Sequence, residues 1–208
     1  MSKPDSSIDP RILESAKKEF LSCGYEKAST NVICKNAGVT SGALYKRFAG
    51  KDELFSALVA PVADEFKAKL NTRHDHFHAL SKEEQEAAAI APVSQAAVFV
   101  DGVYEHFDCF KLLIECSKGS SYEHYLDEVV DILVEATMRF MRETGHEAII
   151  HEKKATSEII HILISSYVYG LFEPVLHNMS REDAIMYAEQ LGYFFDVGWA
   201  DVLRIKNE

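Results

Sequence analysis

Residues 37–54 read AGVTSGALYKRFAGKDEL. Gly38 can take the left-handed conformation that ends one helix and turns the chain into the next. Thr40 can cap the following helix, and its hydroxyl can also reach a phosphate. Gly42 and Ala43 keep the leading end of that helix thin, so its backbone can approach another surface closely. Leu44 and Phe48, four apart, share the side facing the core. Tyr45, Lys46 and Arg47 are left for the outside. Gly50 breaks the chain again, and Lys51 opens a further helix whose unpaired amides and dipole favour an anion. This spacing predicts a helix-turn-helix whose second helix reads base edges while its hydroxyls and cations hold phosphates.

The charge distribution agrees. Residues 1–50 hold eight Lys/Arg against five Asp/Glu, a net +3, within a chain of 208 residues whose total is -11. The remaining residues therefore carry -14. A basic head on an acidic body suits an anionic partner bound by the head alone.

Working outward, nearly every segment has helical period. Asp9-Pro10 has the form of a helix start, with Ile12, Leu13, Ala16, Phe20 and Leu21 on one face and Gly24 as the stop. Ser29 can cap a short second helix with Val32, Ile33 and Ala37 inward. The third helix is expected over 41–48 and the fourth from Lys51 to about Lys69. The polar run Asn71–Ala79 reads as a loop. Ser81/Glu84 and Ser120/Glu123 have capping-box spacing, and Pro92 is expected to interrupt the helix begun at Ser81. Further helices are predicted over 93–107, 108–117, 120–144, 155–177 and 181–205. Strand signals are scarce, so the fold class is all-α. No uninterrupted apolar run approaches the roughly 18 residues of a membrane span, and the N-terminus lacks the apolar segment of a signal peptide. Cys23, Cys34, Cys109 and Cys116 form no Cys-x-x-Cys pair and read as buried reduced thiols of a cytoplasmic protein.

Gly24-Tyr25, Ser29, Ile33, Ala37-Gly38-Val39-Thr40, Gly42, Leu44-Tyr45, Phe48, Lys51 and Leu54 together resemble the N-terminal signature of the TetR family of transcriptional repressors, over about residues 10–56. The resemblance implies a DNA-binding domain at 1–52 and a helical ligand-binding and dimerisation domain at 53–208. It implies a homodimer on a palindromic double-stranded DNA operator, released by a small-molecule inducer, with the last two helices as the dimer interface. By position, Thr40, Tyr45 and Lys51 look like phosphate contacts, and Ser41, Gly42, Ala43 and Lys46 look like groove-facing residues. Ser29 and Arg47 complete the expected DNA-binding set. Cys34 stands where the family usually has alanine, and Arg47 where histidine or tyrosine is frequent.

In the body, Phe99, Tyr104, Phe107, Phe110, Met138, His161 and Tyr167 offer an aromatic lining with polar handles, as small-molecule sites do. Gly192 and Gly198 are expected to let a neighbouring helix come close. No cofactor, metal or membrane partner is expected. The alternative class is an all-helical enzyme or a metal-dependent sensor. No Gly-x-Ser-x-Gly, Gly-x-x-x-x-Gly-Lys or Gly-x-Gly-x-x-Gly occurs. His146 and His151, five apart, would lie about 140° around a helix and could not share a metal as an i, i+4 pair does. His74-Asp-His76-Phe-His78 could gather a metal only if extended. Cys109 and Cys116 are two turns, about 10 Å, apart on a continuous helix, too far for a disulfide.

Overall fold

A computed structural model describes residues 8–90 and 96–204, which form ten helices and one hairpin of two two-residue strands. The all-α expectation holds. The chain divides into two compact units, residues 1–65 with 106–125, and residues 66–105 with 126–208.

The first unit contains α1 (Ile8–Lys27), α2 (Thr30–Ala37), α3 (Ser41–Tyr45), the start of α4 (Lys51–His78) and α7 (Phe107–Glu115). Ile12, Ala16 and Phe20 recur along α1 and are fully buried with Ile33, Leu44, Leu54 and Phe55. Phe20 meets Phe55 edge-on at 5.2 Å, and Tyr25 meets it at 5.5 Å. The Ser15 hydroxyl donates to the Ile33 carbonyl at 2.9 Å, tying α1 to α2. The Tyr25 amide donates to the Cys116 carbonyl at 2.8 Å, tying α1 to the end of α7. α1 is interrupted at Gly24, whose φ of 74° and ψ of 163° leave the helix before one last turn.

The second unit contains the rest of α4, with α5 (Lys82–Ile90), α6 (Ala96–Glu105), α8 (Tyr125–Thr144), α9 (Ser157–Leu176) and α10 (Arg181–Val202). Ala96, Val100, Ala184 and Ala188 bring α6 and α10 together, and Phe99, Leu171 and Ile185 pack on them. Gly170 is where α9 and α10 cross closely. A Cβ there would lie 3.2 Å from Leu191 Cδ2, and the Tyr187 hydroxyl donates to the Gly170 carbonyl at 3.0 Å. At Gly192 and Gly198 a Cβ would meet nothing within 4 Å in the single chain.

Three sequence expectations are corrected. The run Asn71–Ala79 is not a loop, because α4 continues to His78. Leu70, His74, Phe77 and His78 turn inward at helical spacing, while Asn71, Thr72, Asp75 and His76 stay exposed. The histidine run is therefore not extended, and no group of three metal-binding side chains occurs among the described residues. α8 begins at Tyr125 rather than 120. The Ser120 and Glu123 side chains accept instead from the Tyr122 and Gly119 amides, which folds that stretch into turns. A hairpin, Ile149–Ile150 paired with Lys153–Lys154, stands where no strand was foreseen. α9 has no uninterrupted apolar run of span length, although by length and overall composition it is apolar enough to cross a membrane, with mean hydropathy 1.5. Its Ile160, Ile164, Val168 and Phe172 side is nonetheless buried in protein.

The Ser81/Glu84 capping box forms as expected, each side chain accepting from the other's backbone amide at 3.3 and 2.9 Å. The break expected at Pro92 lies outside the described residues. α7 ends at Glu115, one residue before Cys116. All four cysteines are free, and burial pushes the Cys116 thiol up to about 11, which keeps it protonated and unreactive near neutrality.

Candidate nucleic-acid interface and small-molecule cavity

The turn between α2 and α3 forms as its residues dictate. Gly38 sits at φ 66°, ψ 37°, the left-handed region, and the Val39 amide donates back to the Cys34 carbonyl at 3.0 Å. The Thr40 side chain accepts from the Ala43 amide at 3.2 Å and so caps α3. Leu44 is the one buried residue of α3. Ser41, Gly42, Tyr45 and Lys46 are exposed and Ala43 is half-buried. The result is a short helix anchored by one leucine, presenting hydroxyls, a phenol and a lysine outward.

Several expected contacts are used within the fold. The Tyr45 hydroxyl lies 3.2 Å from Thr30 Oγ1, which places Thr30 beside the recognition surface. Sequence spacing does not single out Thr30, because only tertiary packing pairs it with Tyr45. Arg47 Nε pairs with Asp9, and its Nη1 donates to the Ala43 carbonyl at 3.2 Å. Ser29 gives α2 no side-chain cap, contrary to expectation; its amide donates to Glu19 Oε1 at 3.1 Å.

Lys51 changes role most. Its ammonium donates to the carbonyls of Tyr25, Glu26 and Ala28 at 2.7, 3.2 and 3.3 Å, and lies 4.4 Å from the Tyr25 ring centroid. Its three hydrogens match three carbonyls at and just past the end of α1, so in the single chain Lys51 fastens α4 to α1.

The second unit holds a cavity of about 410 Å³. That is within the range of small-molecule sites, about 300–1,000 Å³. α4 contributes Phe66, Leu70, Arg73, His74 and Phe77; α8 contributes Leu133, Thr137 and Phe140; α9 and α10 contribute Tyr167, Phe172, Asp196 and Trp199. Phe66, Phe99 and Phe172 meet one another at 5.5 to 6.3 Å, and Tyr167 meets Phe195 at 4.7 Å. Burial, with Arg73 and then His78 nearby, lowers the His74 pKa, so the imidazole is neutral near pH 7. Burial and then the Asp196 carboxylate raise the Tyr167 pKa, so it stays a phenol.

Of the seven residues expected around a ligand, Phe99 and Tyr167 line this cavity. The other five do not. The Tyr104 hydroxyl donates to the Met179 carbonyl at 2.9 Å. Phe107 and Phe110 belong to the first unit, where Phe110 is buried. Met138 is half-buried on α8, and His161 is exposed on α9. Helical spacing shows that such residues are apolar-facing, not which void they meet. The polar letters in the tail of α4 hide its inward stripe from a sequence reading. His146 stacks on Phe140 at 5.8 Å and bonds Glu86 at 3.0 Å, while His151 sits exposed in the hairpin turn, so the two share no site.

Residues 12–58 match the family described as bacterial regulatory proteins, tetR family. A 65-residue stretch is 37% identical to an uncharacterized HTH-type transcriptional regulator of Bacillus subtilis, YhgD. It amounts to 30% of this chain and 34% of that one, so the chain spans about a third of the length of this curated relative. The structure of a TetR-like transcriptional regulator from Rhodococcus sp. RHA1 superposes with a TM-score of 0.57 at 19% identity, covering 95% of this chain and 100% of the other. A cysteine variant of the TetR family transcriptional regulator CifR, complexed with 26-base-pair operator DNA, superposes with a TM-score of 0.51 at 16% identity, covering 93% and 98%. At these identities the structural likeness is one of fold.

Proposed function

We infer that this chain, whose residues 12–58 match the tetR family of bacterial regulatory proteins, is a transcriptional repressor of that family, gripping a palindromic operator as a homodimer and releasing it when a small molecule fills the cavity. The observation that carries this reading is α3, capped by Thr40, held by Leu44 and exposing Ser41, Gly42, Tyr45 and Lys46. The leading end of such a helix fits the major groove, with the hydroxyls and Lys46 against phosphates. The metal-sensor alternative loses its support, since the histidine run it rested on is helical with His76 on the exposed side.

Dimerisation is supported by α9 and α10. Ile159, Ile162 and Tyr169 form an exposed stripe on one, and Met186, Tyr193, Phe194 and Val197 on the other. Exposed apolar side chains grouped along a helix mark association surfaces. Phe195 and Leu191 instead pack within the chain, against Tyr167 and Gly170. Coupling is supported by α4, which gives Lys51 to the first unit and Phe66 to Phe77 to the cavity. A ligand acts only by binding one disposition of the dimer better than another. A coupling of about 1–3 kcal/mol changes operator affinity about 5- to 150-fold.

The test is selection of DNA fragments by the full chain, followed by affinity measurement on the enriched site. Enrichment of a palindrome supports the reading; retention of all sequences alike overturns it. Salt titration then separates two lysines. Lys46→Met should flatten the slope of log affinity against log salt by about 0.9 for each phosphate that the side chain no longer neutralises. Lys51→Met should leave the slope unchanged and lower stability by roughly 1–3 kcal/mol, because three carbonyls are deprived of their charged donor. A flattened slope in Lys51→Met at wild-type stability would return that residue to the phosphates.

A further inference from the structure

The cavity has two chemically different ends. Phe66, Phe99 and Phe172 make one end aromatic, their rings meeting at 5.5 to 6.3 Å. Arg73, His74, Tyr167 and Asp196 supply polar groups, and Trp199 adds an indole. Phe66 and Arg73 lie seven residues apart on the continuous helix α4, about 10 Å along its axis. A ligand matching both ends is therefore amphipathic, with one polar head and an apolar body of about that length.

The sign of the head follows from the donors. Arg73 is exposed but lines the cavity, and its guanidinium has only N–H groups to give. The Trp199 indole is a donor only, and neutral His74 and the Tyr167 phenol each have a hydrogen to offer. Against these four, Asp196 is the single carboxylate lining the cavity among the described residues. A group that accepts several hydrogen bonds and carries negative charge satisfies this set. Guanidinium and carboxylate also match as planar forks.

We propose that the cavity binds an amphipathic monocarboxylate, an aryl-alkanoic or medium-chain alkanoic acid, with its carboxylate on Arg73 and its apolar body against Phe66, Phe99 and Phe172. This rests on reading the cavity as the effector site of a regulator, and it names the effector's class. Asp196, beside Tyr167, opposes a second negative charge and so disfavours dicarboxylates.

The chain's single tryptophan, Trp199, lines the cavity and reports binding by its fluorescence. Decanoate and 4-phenylbutanoate, titrated into the full chain below micelle-forming concentrations, should give saturable changes. Decanol and decylamine should bind at least about tenfold more weakly, the factor expected when a charge-assisted hydrogen bond is missing. Arg73→Gln should remove that advantage, weakening the acids far more than decanol. Asp196→Asn should tighten the acids. Tighter binding of decylamine, acid affinity unaltered in Arg73→Gln, or no saturable response to either acid overturns the proposal. Operator affinity measured with each probe keeps the two readings apart. Acid binding that leaves operator affinity unchanged supports the carboxylate site and overturns its regulatory role. Operator release by decanol or decylamine but not by the acids keeps the regulator and overturns the carboxylate.

Discussion

Phe194→Glu should give a folded monomer that no longer binds its operator. Phe194 is 64% exposed in the single chain, as Met186 (65%), Tyr193 (63%) and Ile162 (61%) are, so a charge at this position meets water and leaves the protomer's core alone. In a dimer built on α9 and α10 the same carboxylate is stripped of water without a partner. Such burial costs several kcal/mol, and two-fold symmetry imposes it twice. About 4 kcal/mol already weakens association roughly a thousandfold. A monomer reaches only one half-site, so operator affinity falls with dimerisation although α3 is unchanged. Phe195→Glu is the contrasting variant. Phe195 meets Tyr167 at 4.7 Å with the rings tilted by 45° and lines the cavity, so its replacement lowers the melting temperature of the protomer itself. Light scattering and thermal melts on the two variants separate these outcomes. A Phe194→Glu protein that remains a dimer at wild-type operator affinity places the interface elsewhere.

The sequence is most legible where structure is decided locally. Gly38 and Thr40 act on their own neighbours, through a left-handed turn and a capping bond, so the α2–α3 unit can be read from spacing alone. Lys51 shows the limit of that reading. Its position at a helix start is legible, but the three carbonyls it meets come from residues 25, 26 and 28, more than twenty positions away. The α4 tail escapes for another reason. His74 and His78 count as polar letters, yet each turns inward beside Leu70 and Phe77, so the apolar stripe is invisible to a hydrophobicity pattern. The candidate cavity needs packing as well. Phe99 and Phe110 carry the same helical signature, but the first meets Phe66 and Phe172 while the second is enclosed in the other unit.

Leu44→Ala should abolish binding to every DNA sequence while sparing the cavity. α3 has five residues and one buried side chain, Leu44, which is fully inaccessible. A helix this short has no stability of its own in water. Its place therefore depends on that side chain, on the Thr40 cap and on the Arg47 link from Asp9 to the Ala43 carbonyl. Truncating a buried leucine to alanine costs about 2–5 kcal/mol, through forfeited transfer free energy and the void left behind. If α3 detaches with that cost, the competent fraction of heads falls, and apparent affinity falls by the same factor, about a hundredfold for 3 kcal/mol. The loss applies equally to specific and competitor DNA, because the whole reading surface is displaced. Lys46→Met should instead keep the head folded and change mainly the salt dependence. The cavity lies in the other unit, so Trp199 fluorescence should report unchanged ligand binding in Leu44→Ala. Hydrogen exchange resolves the cause: amides of α2 and α3 should lose protection while those of α9 and α10 keep it. Retained protection in α3 together with abolished DNA binding would mean that Leu44 supports the interface by something other than anchoring the helix.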